Sequence, residues 1–253
     1  GDGTTTDRNT PTQTSSLGAG RTAVAISAGN YHTCIILDDG SVSCWGDNDG
    51  GQLGNGAFGA GTDQNIPTQT SSLGTDRTAV AISAGYRHTC AIFDDGSVSC
   101  WGYGDQGQLG LSGTSSSLTP TQIVNLGESR NAALSERDID GNGILNIFQS
   151  RQNLDYRETK IASGMMHTCA ILDDASVSCW GSNGYGQLGD GTTTNRNTPA
   201  LTASLGVGRT AVAIGAGIYH TCAILDDGSV SCWGDNDYGQ IGDGTTTNRN
   251  TPT

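Results

Sequence analysis

Charge and long apolar runs are both scarce in this 253-residue chain, of which 15% is charged and 34% hydrophobic. No apolar stretch approaches the roughly 18 residues that suggest a membrane-crossing helix, so no membrane span is expected. Basic residues are few: 12 Lys and Arg stand against 25 Asp and Glu, for a net charge of −13. Such a surface repels phosphate backbones and anionic lipid, which argues against nucleic acid as a direct partner. Proline is rare, at 5 residues, while glycine reaches 39 and Thr and Ser are frequent. Disordered chains share that composition. Here, however, Val, Ile, Leu, Trp and Cys return regularly, with alternation able to bury a core, and disorder is set aside. No signal peptide is visible. Its absence carries little weight, because residues 1–12 match residues 242–253 at every position but one, so the chain reads as a piece of a longer array.

What is present is one unit written four times. His32-Thr33-Cys34 leads to Cys44-Trp45-Gly46, and the same run starts again at His88, His167 and His220. Gly1, Gly54, Gly110, Gly189 and Gly242 mark equivalent points, separated by 53, 56, 79 and 53 residues. A period of this length marks a repeat architecture. The chain therefore reads as a single array over 1–253, with units at about 1–53, 54–109, 110–188 and 189–241 and the start of another at 242–253. The second unit is expanded by three residues near 57–65, and the third carries an insertion at 132–158, the one stretch of helix-like composition.

Within a unit the pattern is all-β. Residues 22–27 alternate and are β-branched; residues 32–37 and 41–45 flank an Asp38-Asp39-Gly40 turn; a weaker strand falls near 67–72, where Pro67 suits an edge. Four short strands per unit make the blade of a propeller. A type I turn with glycine in the left-handed region closes a three-residue hairpin loop. That loop sets Leu37 opposite Ser41 and Cys34 opposite Cys44, in a non-hydrogen-bonded pair with Cα atoms about 4.5 Å apart. In the third copy Ala175 replaces the glycine, so that turn should be strained or differently shaped.

The same register pairs Cys34 with Cys44, Cys90 with Cys100, Cys169 with Cys179 and Cys222 with Cys232. Four disulfides, none with a Cys left over, would place the protein in an oxidising compartment: extracellular, periplasmic or cell-surface. Two alternatives stand beside this reading. The eight thiols could be small buried apolar groups, or His32, Cys34 and Cys44 could bind zinc, although no fourth ligand recurs on that strand face.

The run from Ala216-Gly217 through His220-Thr221-Cys222 to Cys232-Trp233-Gly234, with the tail Tyr185-Gly186-Gln187-Leu188-Gly189, resembles RCC1 (regulator of chromosome condensation) repeats. It looks like their bacterial, alpha-tubulin-suppressor-like branch. The resemblance covers nearly the whole chain outside the insertion. It implies a seven-bladed β-propeller, glycines at tight turns and a buried His near the start of the second strand. Seven units of this period need about 370 residues, so about four blades form an arc or part of a ring, closed by further repeats or by self-association. The cysteine pairs are unlike the nuclear members and look like a secreted branch composed mostly of binding modules.

Features common to all copies are read as structural. The four His are expected to be buried between blades on backbone carbonyls, because a catalytic His is normally unique and paired with a nucleophile. The Asp-Asp pairs are read as turn residues, and the Gly-Asp-Gly-Thr-Thr-Thr runs, which lack Lys, as connections between blades rather than phosphate loops. In the insertion, Asp138, Asp140, Asn142, the Ile144 carbonyl and Asn146 follow the first half of a Ca²⁺ loop, but Gln149 stands where a bidentate acid belongs. Calcium is the one cofactor this pattern suggests. A ligand surface is sought where copies differ: Tyr31, Tyr86, Arg87, Met165, Met166 and Tyr219 before each His, and residues 47–51, 103–107, 182–186 and 235–239 after each Trp. The reading is a non-enzymatic secreted or cell-surface module that binds a protein, or less favourably a glycan, on one propeller face. The alternative, implied by the resemblance, is a guanine nucleotide exchange regulator of a small GTPase.

Overall fold

The computed structural model describes residues 1–123, 126 and 160–253. The insertion at 132–158, with its candidate calcium ligands Asp138, Asp140, Asn142, Ile144 and Asn146, lies outside these residues. Among the described residues every regular element is a strand. The first blade is β1 (Ala23–Ala28), β2 (His32–Leu37), β3 (Val42–Gly46) and β4 (Gln64–Gln69), and the second is β5 (Ala79–Ala84), β6 (His88–Phe93), β7 (Val98–Gly102) and β8 (Ser117–Gln122). The third comprises β9 (Ile161–Ser163), β10 (His167–Ile171), β11 (Val177–Gly181) and β12 (Arg196–Leu201); the fourth has β13 (Ala211–Ala216), β14 (His220–Leu225) and β15 (Val230–Gly234). Each sheet is an antiparallel meander in chain order. The fourth is completed by residues 249–253, which pair with β15 through Gly234 and Arg249 and through Cys232 and Thr253. The blades form an open array.

The hairpin register follows from the turn. Leu37 N–H donates to the Ser41 carbonyl at 2.8 Å and Gly40 N–H to the Leu37 carbonyl at 2.9 Å. Cys34 then faces Cys44, and the equivalent pairing recurs in every blade. All four pairs are disulfides with Cα atoms 4.1 Å apart, and no free cysteine remains. Ala175 takes the left-handed conformation of the glycines it replaces, with φ 60° against 77° at Gly40. Its N–H keeps the 2.9 Å bond to Leu172, so the turn is strained but not reshaped. The fourth strand begins three residues earlier than the sequence pattern suggests, and Pro67 lies on this edge strand, where no ladder donor is needed.

The core lies between blades. One side of each interface is built from the disulfide face of a blade: Cys34, Ile36, Val42, Cys44 and Leu53 in the first. The next blade supplies the other side, here Ala79, Ile82, Ala91, Phe93 and Trp101. The arrangement repeats at the second and third interfaces, around Trp180 and Trp233. Repeat proteins gain stability from such nearest-neighbour contacts.

Candidate functional site

Antiparallel strand order puts the loop between the first and second strands and the loop after the third strand at one end of every blade. Main-chain bonds tie them together: Asp47 N–H donates to the Tyr31 carbonyl (2.9 Å), Tyr103 to Arg87 (2.7 Å), Ser182 to Met166 (2.7 Å) and Asp235 to Tyr219 (2.9 Å). The residues that vary before each His therefore sit beside those that vary after each Trp.

Side chains from neighbouring blades meet here. Tyr31 and Tyr86 pack edge to face with ring centres 5.6 Å apart. Arg87 lies 5.6 Å from the Tyr86 ring and reaches back to the first blade, 3.4 Å from Asp47 and 3.3 Å from Asp49. Further along, Tyr219 stacks at 4.9 Å on Tyr185 of the preceding blade. Tyr185 belongs to the varied loop after Trp180 and joins the site as the partner of Tyr219. Exposed Ile218 and Tyr238 extend the same end. Met165 and Met166 are half-buried, and their main chains bond Ile218 and Ser182. The structure thus brings together Tyr31, Tyr86 and Arg87 as one group and Tyr219 with Tyr185 as another. Carboxylate oxygens of Asp47, Asp49 and Asp63 lie within 4.8 Å of one another, with Asp63 accepting from the Asn48 N–H at 2.8 Å.

The loops are held from below by a side chain the sequence reading passed over. Asn48 is fully buried, accepts from Leu53 N–H at 3.1 Å and donates to the Ala57 carbonyl at 3.0 Å. Asn183 and Asn236 do the same in their blades. The signal is present as Asn three residues after Trp in the first, third and fourth copies, with Gly104 in the second. The Gly-Asp-Gly-Thr-Thr-Thr runs also require correction. They join the third strand to the fourth within a blade, and they also touch the next one, as where Gly191 bonds Asn250 and Gly189 lies against Trp233.

Three of the four histidines are buried between blades while His220 is half-buried, and the partner of the buried three is a hydroxyl and not a backbone carbonyl. His32 Nε2 lies 2.8 Å from Thr89 Oγ1, His88 2.9 Å from Thr168 and His167 2.9 Å from Thr221. Thr89 gives its own proton to the Gln52 carbonyl (2.9 Å), which also accepts the Trp101 indole N–H (3.0 Å). The threonine oxygen must therefore accept from His32, which fixes the Nε2–H tautomer. The bare Nδ1 of His32, His88 and His167 has no hydrogen-bond partner. The ring lies so close over Gly29 that a Cβ there would come within 2.8 Å of it. Burial lowers the imidazole pKa to about 4 in His32, where Asp47 pulls weakly upward, and to about 3 in His88 and His167. With both sulfurs of every pair in a disulfide, the zinc arrangement of His32, Cys34 and Cys44 does not form.

The Asp-Asp turns occupy the opposite end. Asp39 accepts from the Ser41 N–H at 3.0 Å and its hydroxyl at 2.7 Å, and Arg21 pairs with Asp39. Arg209 and Asp227 repeat the arrangement.

A blade of four antiparallel strands, stacked through Trp and disulfide faces with varied loops at one end, defines an RCC1-type β-propeller array. The chain belongs to the family described as RCC1-like domain, whose model matches residues 1–253. It is 30% identical over 252 residues to the ultraviolet-B receptor UVR8 of Arabidopsis thaliana, covering 88% of this chain and 56% of the receptor. It is 30% identical over 257 residues to human E3 ubiquitin-protein ligase HERC2, covering 91% of this chain and 5% of the ligase. The chain thus spans about half of the first relative and a small part of the second. Among solved structures, yeast RCC1 (Prp20) bound to Kap60 superimposes with a TM-score of 0.68 at 19% identity, over 91% of this chain and 48% of that one. Human WBSCR16 gives 0.61 at 18% identity, over 92% and 67%.

Proposed function

We propose that the chain is a non-enzymatic binding module of a secreted or cell-surface protein, and that the loop end recognises a protein partner. The observation that carries this reading is the meeting of varied side chains across blade boundaries: Tyr31 with Tyr86, Arg87 with Asp47 and Asp49, and Tyr219 with Tyr185. Rigid aromatic groups beside carboxylates suit a partner offering Arg or Lys side chains, which bind both. Yeast Prp20p, a solved structure described with its binding properties to Gsp1p and histones, shares the fold at a TM-score of 0.51. The four disulfides support an oxidising compartment.

A photo-crosslinking residue placed at Tyr86 or Tyr219 should give defined protein adducts, whereas the same residue at Asp39 or Asp227, on the opposite end, should not. Equal labelling at both ends would defeat the reading. A thiol count on native protein separates it from the exchange-regulator alternative, for which eight free thiols are expected. Residues 138–146 enter as a further proposal, a Ca²⁺ loop of roughly millimolar affinity. Calorimetric titration should show one site that is lost in Asp138→Ala; no binding in the parent protein would remove it.

A further inference from the structure

Negative charge is redistributed at the boundary between the first and second blades. In the third and fourth blades the loop before the last strand holds an ion pair, Asp190 with Arg196 at 2.7 Å and Asp243 with Arg249 at 2.6 Å. The first blade has the neutral Asn55 and Gln64 at those places. It carries a carboxylate instead at Asp63, where the other two have Asn195 and Asn248. All three side chains accept the equivalent main-chain N–H, from Asn48 at 2.8 Å, Asn183 at 2.8 Å and Asn236 at 2.7 Å. An amide serves that bond as well, so the fold does not need the charge at Asp63.

That charge faces Asp47 and Asp49. Arg87 answers only part of it: its one bond, to Asp49, is 3.3 Å long, and its buried Nε lies 3.4 Å from Asp47 without a hydrogen bond. Phe58, 60% exposed on the same loop, offers a ring face to a further cation.

The boundary between the third and fourth blades carries no such charge. Tyr219 stacks on Tyr185, Ile218 is 57% exposed, and the Met165 N–H bonds the Ile218 carbonyl. Between the two boundaries the second blade contributes Tyr103, bonded to Asp105 at 2.9 Å, and Gln106, which accepts from Asn195 of the third blade at 2.9 Å. The loop end is therefore one strip, acidic at the first boundary and aromatic at the third.

We propose, resting on the reading of this end as a protein-binding surface, that its occupant is an extended segment of the partner with unlike ends. Basic side chains at one end meet Asp49 and Asp63, and a bulky apolar side chain at the other packs on Tyr185, Tyr219 and Ile218. Charge complementarity orients the segment, and the aromatic contact anchors it. An acidic or a wholly apolar segment would leave one end of the strip unmatched.

Selection from a phage-displayed library of random peptides on the native chain tests this. The enriched sequences should carry Arg or Lys at one end and a large apolar residue at the other. Asp63→Asn keeps the bond to Asn48, as Asn195 does in its own blade, so its melting curve should match that of the parent. By fluorescence anisotropy it should weaken binding of the consensus peptide about fivefold, an effect that fades at high salt. Tyr185→Ala, at a position 40% exposed, should weaken it about tenfold at any salt. Replacing the basic residues of the peptide by Ala should abolish the effect of Asp63→Asn but not that of Tyr185→Ala. No enrichment, a consensus without a basic end, or equal binding to parent and Asp63→Asn would each overturn the proposal. The protein-binding reading survives that failure if crosslinks stay confined to the loop end, and falls with it if both ends crosslink equally.

Discussion

Acid should unfold this protein through its interblade histidines, well before its strongly stabilised carboxylates titrate. His32, His88 and His167 are neutral and buried, each with Nε2–H on a threonine and Nδ1 without a partner. Their folded pKa values, about 4, 3 and 3, lie below the unfolded value of 6.5. A depressed pKa means that the unfolded chain binds more protons, so stability is fully present above pH 6.5 and is lost as pH falls toward the folded values. At pH 5.5 each imidazole has given up about 1 kcal/mol or a little more, and the three together about 4 kcal/mol, against total stabilities of roughly 5–15 kcal/mol. The slope there is close to 4 kcal/mol per pH unit. Asp2 and Asp243, held near 2 by their Thr and Arg partners, contribute only below this window. Net charge works the other way: approach to the pI of 4.4 relieves self-repulsion as pH falls. Guanidinium unfolding followed by tryptophan fluorescence at pH 8, 6.5 and 5.5 measures the balance. The expected result is a midpoint steady above pH 7 and falling steeply below 6.5. A midpoint that is flat or rises between 6.5 and 5.5 would refute the burial argument.

Three other perturbations probe single contacts. Thr168→Val removes the acceptor for His88 and one donor to the Gln108 carbonyl at nearly constant volume; it should cost about 2–4 kcal/mol in denaturant unfolding. Ala175→Gly relieves the φ of 60° in the third hairpin and should raise stability by about 0.5–1 kcal/mol, net of the extra unfolded-state entropy; a lower melting temperature would contradict the strain. Replacing Cys90 and Cys100 together by Ala reopens a loop of sequence separation 10 and should cost about 3 kcal/mol by chain entropy, read as a shift in denaturant midpoint.

The hairpin was legible because its determinants are local. Asp38-Asp39-Gly40 dictates the turn, the turn dictates the register, and the register places Cys34 against Cys44; nothing distant is needed. The histidines show where local reading ends. Repetition of His32 at 88, 167 and 220 points to a buried structural group, which three of the four are, but their partner is a threonine hydroxyl and not a main-chain carbonyl. Thr89 is one residue after His88 in sequence but faces His32 of the previous blade, 57 positions away. That pairing depends on how blades stack, which the sequence of one unit does not encode. The same limit explains the loop end. Tyr31, Tyr86 and Arg87 were visible as departures from the repeat, whereas Asp47 and Asp49 become partners of Arg87 only across a blade boundary. Asn48 escapes for a different reason: residues 47–51 read as a loop that varies between copies and faces a ligand, whereas Asn48 recurs in three copies and is fully buried, where an amide must satisfy its donors and acceptor internally. In a repeat array the unit sequence determines the blade, and the interface between units determines both the core and the surface that can recognise a partner.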